Sequence, residues 1–189
     1  MIDILLILIH NGNKYISYRK VDLFMVNVTF KGNPVTLIGS EVKVGDDAPD
    51  FNVITTDLEE RTLADYEGKV KLISVVPSVD TGVCSVQTKR FNEEADSLDN
   101  VHSLTISMDL PFAQARWCSA EGVNNLDMLS DHRSGDFGKN YGVLIEELRL
   151  LSRSIFVVDE NNKVTYVEYV PEVGEHPDYD AVLDHLRNR

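Results

Sequence analysis

One stretch limits what this chain can fold into more than any other: the apolar run Val70-Lys71-Leu72-Ile73-Ser74-Val75-Val76, followed at once by Pro77-Ser78-Val79-Asp80-Thr81-Gly82-Val83-Cys84. A short apolar run bounded by turn residues reads as a buried strand. After it, Cys84, Thr88, Phe91, Ala95 and Leu98 recur at intervals of four, three, four and three, which puts them on one face of a helix. The segment is therefore a strand, a turn, and a cysteine that opens a helix. A cysteine in that position faces unpaired backbone N–H groups and the positive end of the helix dipole, and both favour thiolate over thiol. Cys84 is thus a candidate nucleophile. Position alone leaves the opposite reading open, because a free cysteine is as often a small buried hydrophobe.

The rest of the chain alternates strands and helices. Residues 26–30 and 35–38 flank Lys31-Gly32-Asn33-Pro34 and read as an N-terminal β-hairpin. Short strands are expected over 51–55 and 60–63, then one helical turn over 64–68. Beyond the cysteine helix come a strand over 101–107, a helix over 112–120, a short strand over 127–129 and a helical turn over 137–141 closed by Gly142. Residues 154–158 and 163–168, joined by Asp159-Glu160-Asn161-Asn162, read as an antiparallel hairpin, and 178–186 as a final amphipathic helix. The pattern is α/β.

With 189 residues and 43% hydrophobic content, the chain can bury one core, and one domain is expected over 25–189. Residues 1–24 read as a poorly anchored extension. Their apolar run Ile4-Leu5-Leu6-Ile7-Leu8-Ile9 is too short for a transmembrane helix and has no positive region before it. Arg19-Lys20-Val21 can be encoded by AGG-AAA-GTG, a ribosome-binding-like purine run, so Met25 is the expected natural start. A net charge of −13 argues against nucleic acid and anionic membranes as partners. Two cysteines, 34 positions apart, form no Cys-x-x-Cys. No closely spaced Cys/His set exists among His10, His102, His132, His176 and His185, so neither metal nor cofactor is expected, and a reduced, cytoplasmic setting fits two free thiols.

The stretch from Pro77 to Cys84 carries Pro-x-x-x-Thr-x-x-Cys, the active-site signature of the peroxiredoxins. With Ser107-Met108-Asp109-Leu110-Pro111-Phe112-Ala113-Gln114, Trp117-Cys118-Ser119-Ala120-Glu121-Gly122, Phe30-Lys31-Gly32-Asn33-Pro34-Val35 and Ser130-Asp131-His132-Arg133, the chain resembles the bacterial thiol peroxidase branch, the atypical two-cysteine peroxiredoxins. The resemblance runs from about Met25 to the C-terminus. Ser119 departs from the usual glycine and Ser152 from the common alanine, and neither is assigned chemistry.

This resemblance implies a thioredoxin-like fold, a central mixed sheet flanked by helices. It assigns Cys84 as the peroxidatic cysteine, Thr81 a hydroxyl in the thiolate and peroxide cluster, and Pro77 the shielding of the pocket. Without it, Thr81 is a helix N-cap and Pro77 a turn residue. Arg153, in Ser152-Arg153-Ser154, matches the arginine that the family places near the thiolate; alone it reads as a surface charge at a strand end. Cys118 matches the resolving cysteine, which implies an intramolecular Cys84–Cys118 disulfide and, since helical segments seldom bring Cα atoms within about 7 Å, partial unwinding of both. Read alone, Cys118 is an apolar filler beside Trp117.

The implied activity is reduction of hydrogen peroxide and organic hydroperoxides, with thioredoxin as reductant and a homodimer as the assembly. Two rivals stand beside it. A thiol-disulfide oxidoreductase of the same fold would normally carry Cys-x-x-Cys, whereas this chain has Cys84-Ser85-Val86-Gln87. A peroxide-sensing redox switch would use the same cysteine pair without sustained turnover.

Overall fold

In the computed structural model, which describes residues 4–10, 13–19, 27–95, 98 and 100–189, the run beginning at Val70 forms an interior strand of a seven-stranded mixed sheet. In chain order the strands before it are β1 (Ile4–His10), β2 (Asn13–Arg19), β3 (Val28–Phe30), β4 (Asn33–Val35), β5 (Leu37–Ile38), β6 (Val53–Thr55) and β7 (Glu60–Arg61). A single 3-10 turn at Leu63–Tyr66 leads into β8 (Val70–Val75), α1 (Gly82–Ala95), β9 (Val101–Ser107), α2 (Pro111–Glu121), β10 (Asp127–Ser130) and α3 (Asp136–Asn140). The chain ends with β11 (Leu144–Ile145), β12 (Leu150–Leu151), β13 (Ser154–Val158), β14 (Val164–Tyr169) and α4 (Tyr179–Arg187).

The large sheet has the order β14-β13-β8-β9-β10-β6-β7. β8, β9 and β10 run parallel, as the intervening helices require, and the remaining pairs are antiparallel. Every residue of β8 is buried, so its side chains alternate between two cores. Ile73 and Val75 join Phe137 of α3 and Tyr141, which caps that helix, on one face. Val70 and Leu72 join Phe91 of α1 and Val182, Leu183 and Leu186 of α4 on the other. Helices thus cover both faces, and the thioredoxin-like α/β expectation holds. Lys71, buried in the same strand, places Nζ 2.8 Å from the Asp159 carbonyl and 2.7 Å from Asn162 Oδ1, which pins the β13–β14 turn to the strand. Burial lowers its pKa.

Several boundaries differ from the sequence reading, each for a local reason. The expected hairpin arm 35–38 splits: β4 pairs with β3 across Lys31-Gly32, while β5 pairs with β11 in a separate three-stranded sheet. Lys31 and Gly32 have φ of 52° and 75°, the two left-handed residues of a type I′ turn, so the loop closes two residues earlier than expected. Helix α1 starts at Gly82 rather than Cys84, and α2 at Pro111, a residue whose fixed φ suits the first helical position. Gly142 ends α3 with φ 63°, and a Cβ there would lie 2.5 Å from the Ser40 carbonyl oxygen. For residues 1–24 the expectation falls partly outside the described residues. Within them, β1 and β2 pair antiparallel from Ile4↔Arg19 to His10↔Asn13 and join no other sheet. Among the described residues no helix is long and apolar enough to cross a membrane.

Candidate active site

At the end of β8 the chain leaves the sheet through buried Pro77, and the turn that follows is held by one carboxylate. Asp109, which follows β9, accepts from Ser78 Oγ at 2.8 Å, from the Val79 N–H at 2.8 Å and from Ser107 Oγ at 2.8 Å. Its own carbonyl accepts from Ser130 Oγ, and Gln114 of α2 donates to Ser107 Oγ at 3.0 Å and to the Leu129 carbonyl at 2.9 Å. This network ties the cysteine turn to the ends of β9 and β10 and to the start of α2. The turn then enters α1, where the Ser85 N–H meets the Thr81 carbonyl at 2.9 Å.

Cys84 lies in the first turn of α1 and is fully buried. Thr81 Oγ1 is 2.7 Å from its Sγ and 3.4 Å from the Ser78 carbonyl, so the single hydroxyl proton goes to the sulfur. Arg153, at the mouth of β13, is 1% exposed. Its Nη2 donates to Cys84 Sγ at 3.2 Å, its Nη1 to Gln87 Oε1 at 2.6 Å and its Nε to the Val173 carbonyl at 3.0 Å. Gln87 is itself buried and held by Ser74 Oγ at 2.7 Å. Of Arg153's three partners only the sulfur can carry negative charge, and burying a cation without a counter-charge is costly. The sulfur accepts two hydrogen bonds, one from a cation, an arrangement suited to an anion.

Cys118 sits near the C-terminal end of α2, which stops at Gly122 in the left-handed conformation. It is half-buried and packs against the apolar cluster of Val76, Val79, Cys84, Trp117, Val123 and Met128. Burial pushes its thiol pKa up. With Val123 and Met128 of that cluster it also lines a groove of ≈ 350 Å³, together with Ala115, Leu126, Arg61, Asp57 and Thr55. Both cysteines are free thiols.

The structure therefore brings Thr81, Cys84 and Arg153 into direct contact and leaves Pro77 buried just beyond the end of β8. Cys118 packs against the apolar cluster that holds Cys84 but stands on another helix. Two residues of the site were not singled out by sequence reasoning. Gln87 lies three positions after Cys84 on the same helix face, a spacing that could have flagged it. Asp109 is an acidic residue between a buried strand and a helix start, a position at which a carboxylate needs donors.

Comparison with known proteins gives the family. The family model described as Redoxin matches residues 43–183. A thiol peroxidase of Oceanobacillus iheyensis is 69% identical over 162 residues, covering 86% of this chain and 99% of that protein. A thiol peroxidase of Bacillus subtilis is 61% identical over 160 residues, covering 85% and 96%. Among solved structures, a peroxiredoxin-like protein from Aquifex aeolicus superposes with a TM-score of 0.81 at 44% identity, covering 87% of this chain and 97% of its own. A thiol peroxidase from Chromobacterium violaceum gives 0.77 at 28% identity, covering 86% and 95%. With a buried cysteine at a helix start, a threonine hydroxyl and an arginine on its sulfur, and relatives of this closeness over almost their whole length, the chain belongs to the redoxin family, among the bacterial thiol peroxidases.

Proposed function

We propose that the protein reduces hydrogen peroxide and organic hydroperoxides by way of Cys84, with Cys118 as resolving cysteine and thioredoxin as the reductant. One observation carries the reading: Cys84 Sγ lies 2.7 Å from Thr81 Oγ1 and 3.2 Å from Arg153 Nη2. The Cys84 thiolate attacks the terminal oxygen of ROOH, forming the S–O bond as the O–O bond breaks, and RO⁻ leaves and takes a proton to become ROH. Arg153 and Thr81 supply N–H and O–H donors where charge moves from sulfur to the departing oxygen. Pro77, which has no N–H, shapes the pocket floor at the strand end. The Cys118 thiol then displaces water from the Cys84 sulfenic acid, giving a disulfide that a dithiol reductant exchanges.

Exposed Leu110 and Phe112, 54% and 68% accessible at the start of α2, offer apolar surface for the homodimer that the family resemblance implies. The catalytic unit is placed at 25–189, in the cytoplasm. The test is peroxide consumption with catalytic thioredoxin, thioredoxin reductase and NADPH. Sustained turnover in the wild type, lost in Cys118→Ser, is expected; oxidation that stops after one equivalent identifies a redox switch instead.

A further inference from the structure

Arg153 can aim Nη2 at the sulfur only if its planar guanidinium is held by its other nitrogens. Gln87 holds Nη1, and the Val173 carbonyl holds Nε. Val173 belongs to no strand or helix, lying between β14 and α4, so something else must fix that carbonyl. A peptide unit is planar and trans, with its C=O and the following N–H pointing in opposite directions. The N–H paired with the Val173 carbonyl is that of Gly174, and it donates to Glu172 Oε1 at 3.1 Å. The same plate thus meets Arg153 on one edge and a carboxylate on the other.

Glu172 is in turn anchored to the β3–β4 hairpin. It accepts from the Lys31 N–H at 3.0 Å, the Gly32 N–H at 2.9 Å and Thr29 Oγ1 at 2.8 Å. Backbone bonds flank the clamp: Thr29 N–H to the Pro171 carbonyl at 2.8 Å and Val173 N–H to the Thr29 carbonyl at 2.9 Å. These donors hold the Glu172 carboxyl far below its usual range, at about 2. Resting on the reading of Arg153 given above, we propose that Glu172 is a positioning residue for the active site: anchored on the β3–β4 hairpin, it sets the Val173–Gly174 peptide and through it the direction of the Arg153 guanidinium toward Cys84. The hairpin, some 120 residues from Arg153 in sequence, is on this account part of the catalytic apparatus.

Glu172→Gln tests this, because it keeps the side-chain volume while replacing one acceptor oxygen by a donor that cannot receive the clamp's N–H groups. The readout is the rate at which iodoacetamide alkylates Cys84, followed by mass in a Cys118→Ser background at fixed pH. Glu172→Gln should slow alkylation about tenfold, within the range lost when a reacting group is displaced by a distant substitution. The same substitution added to Arg153→Met should cause no further slowing, since Glu172 acts through Arg153. If Glu172→Gln does not fold, Thr29→Val, which removes one bond of the clamp, is read the same way and should slow alkylation less, again only when Arg153 is present. An unchanged rate in the folded variant, or an equal loss with and without Arg153, overturns the proposal. A wild type that alkylates normally but consumes no peroxide sinks the peroxidase reading and leaves the Glu172 result standing.

Discussion

At Cys84 two donors converge on one sulfur, and Arg153 is the one whose removal is most informative. Arg153→Met keeps the aliphatic stem and removes the cation together with its hydrogen bond to Sγ, leaving Gln87 and the Val173 carbonyl without their donor. The second-order rate of peroxide reduction should fall at least tenfold, equivalent to about 1.4 kcal/mol of transition-state stabilisation. Stopped-flow fluorescence of Trp117, which packs in the same cluster as Cys84, is a direct readout. A rate within twofold of wild type would remove Arg153 from the chemistry. How far the site could be read in advance follows from where its atoms come from. Pro77, Thr81 and Cys84 sit within eight positions and announce themselves. Arg153 is 69 positions away and became a candidate only through the family resemblance. The Val173 carbonyl was not legible at all, because a backbone oxygen leaves no mark on residue type.

Among the elements, α3 shows how burial and capping compete. Asp131 is 1% exposed and accepts the Gly138 N–H at 2.8 Å and the Phe137 N–H at 3.2 Å, yet desolvation dominates and raises its carboxyl to about 6. A raised acid binds its proton more tightly in the folded chain than in the unfolded one. Its contribution to stability is therefore full below the unfolded pKa of 3.8 and is lost as pH rises through about 6. Urea midpoints of the wild type should accordingly decline relative to those of Asp131→Asn between about pH 4 and pH 6. A constant difference across that window would show that Asp131 does not titrate there. Elements legible in the sequence were those with a bounded apolar run, such as β8, a clear helical period, such as α1, or a turn-rich linker between two apolar stretches, such as the β13–β14 hairpin. The two-residue strands β5, β11 and β12 carry no period and owe their form to pairing with one another. The β1–β2 pair was passed over although Asn11-Gly12, a strong hairpin signal, stands between its strands.

For the whole molecule, the sheet places the cysteine turn, Arg153 and the Val173 peptide at one end of β8, while β1 and β2 form a sheet of their own. Deleting residues 1–24 should therefore leave peroxide turnover and melting temperature unchanged, and a drop of several degrees would mean that this segment packs on the domain. The central claim is that Cys84 attacks and Cys118 resolves within one chain, and intact mass after one equivalent of peroxide tests it most directly. Wild type should become lighter by the two hydrogens of a disulfide and remain monomeric on a non-reducing denaturing gel. Cys118→Ser should instead gain one oxygen in a form that dimedone traps, and Cys84→Ser should stay unmodified. Disulfide-linked dimers as the main wild-type product, or oxidation of Cys84→Ser at the wild-type rate, would contradict the account.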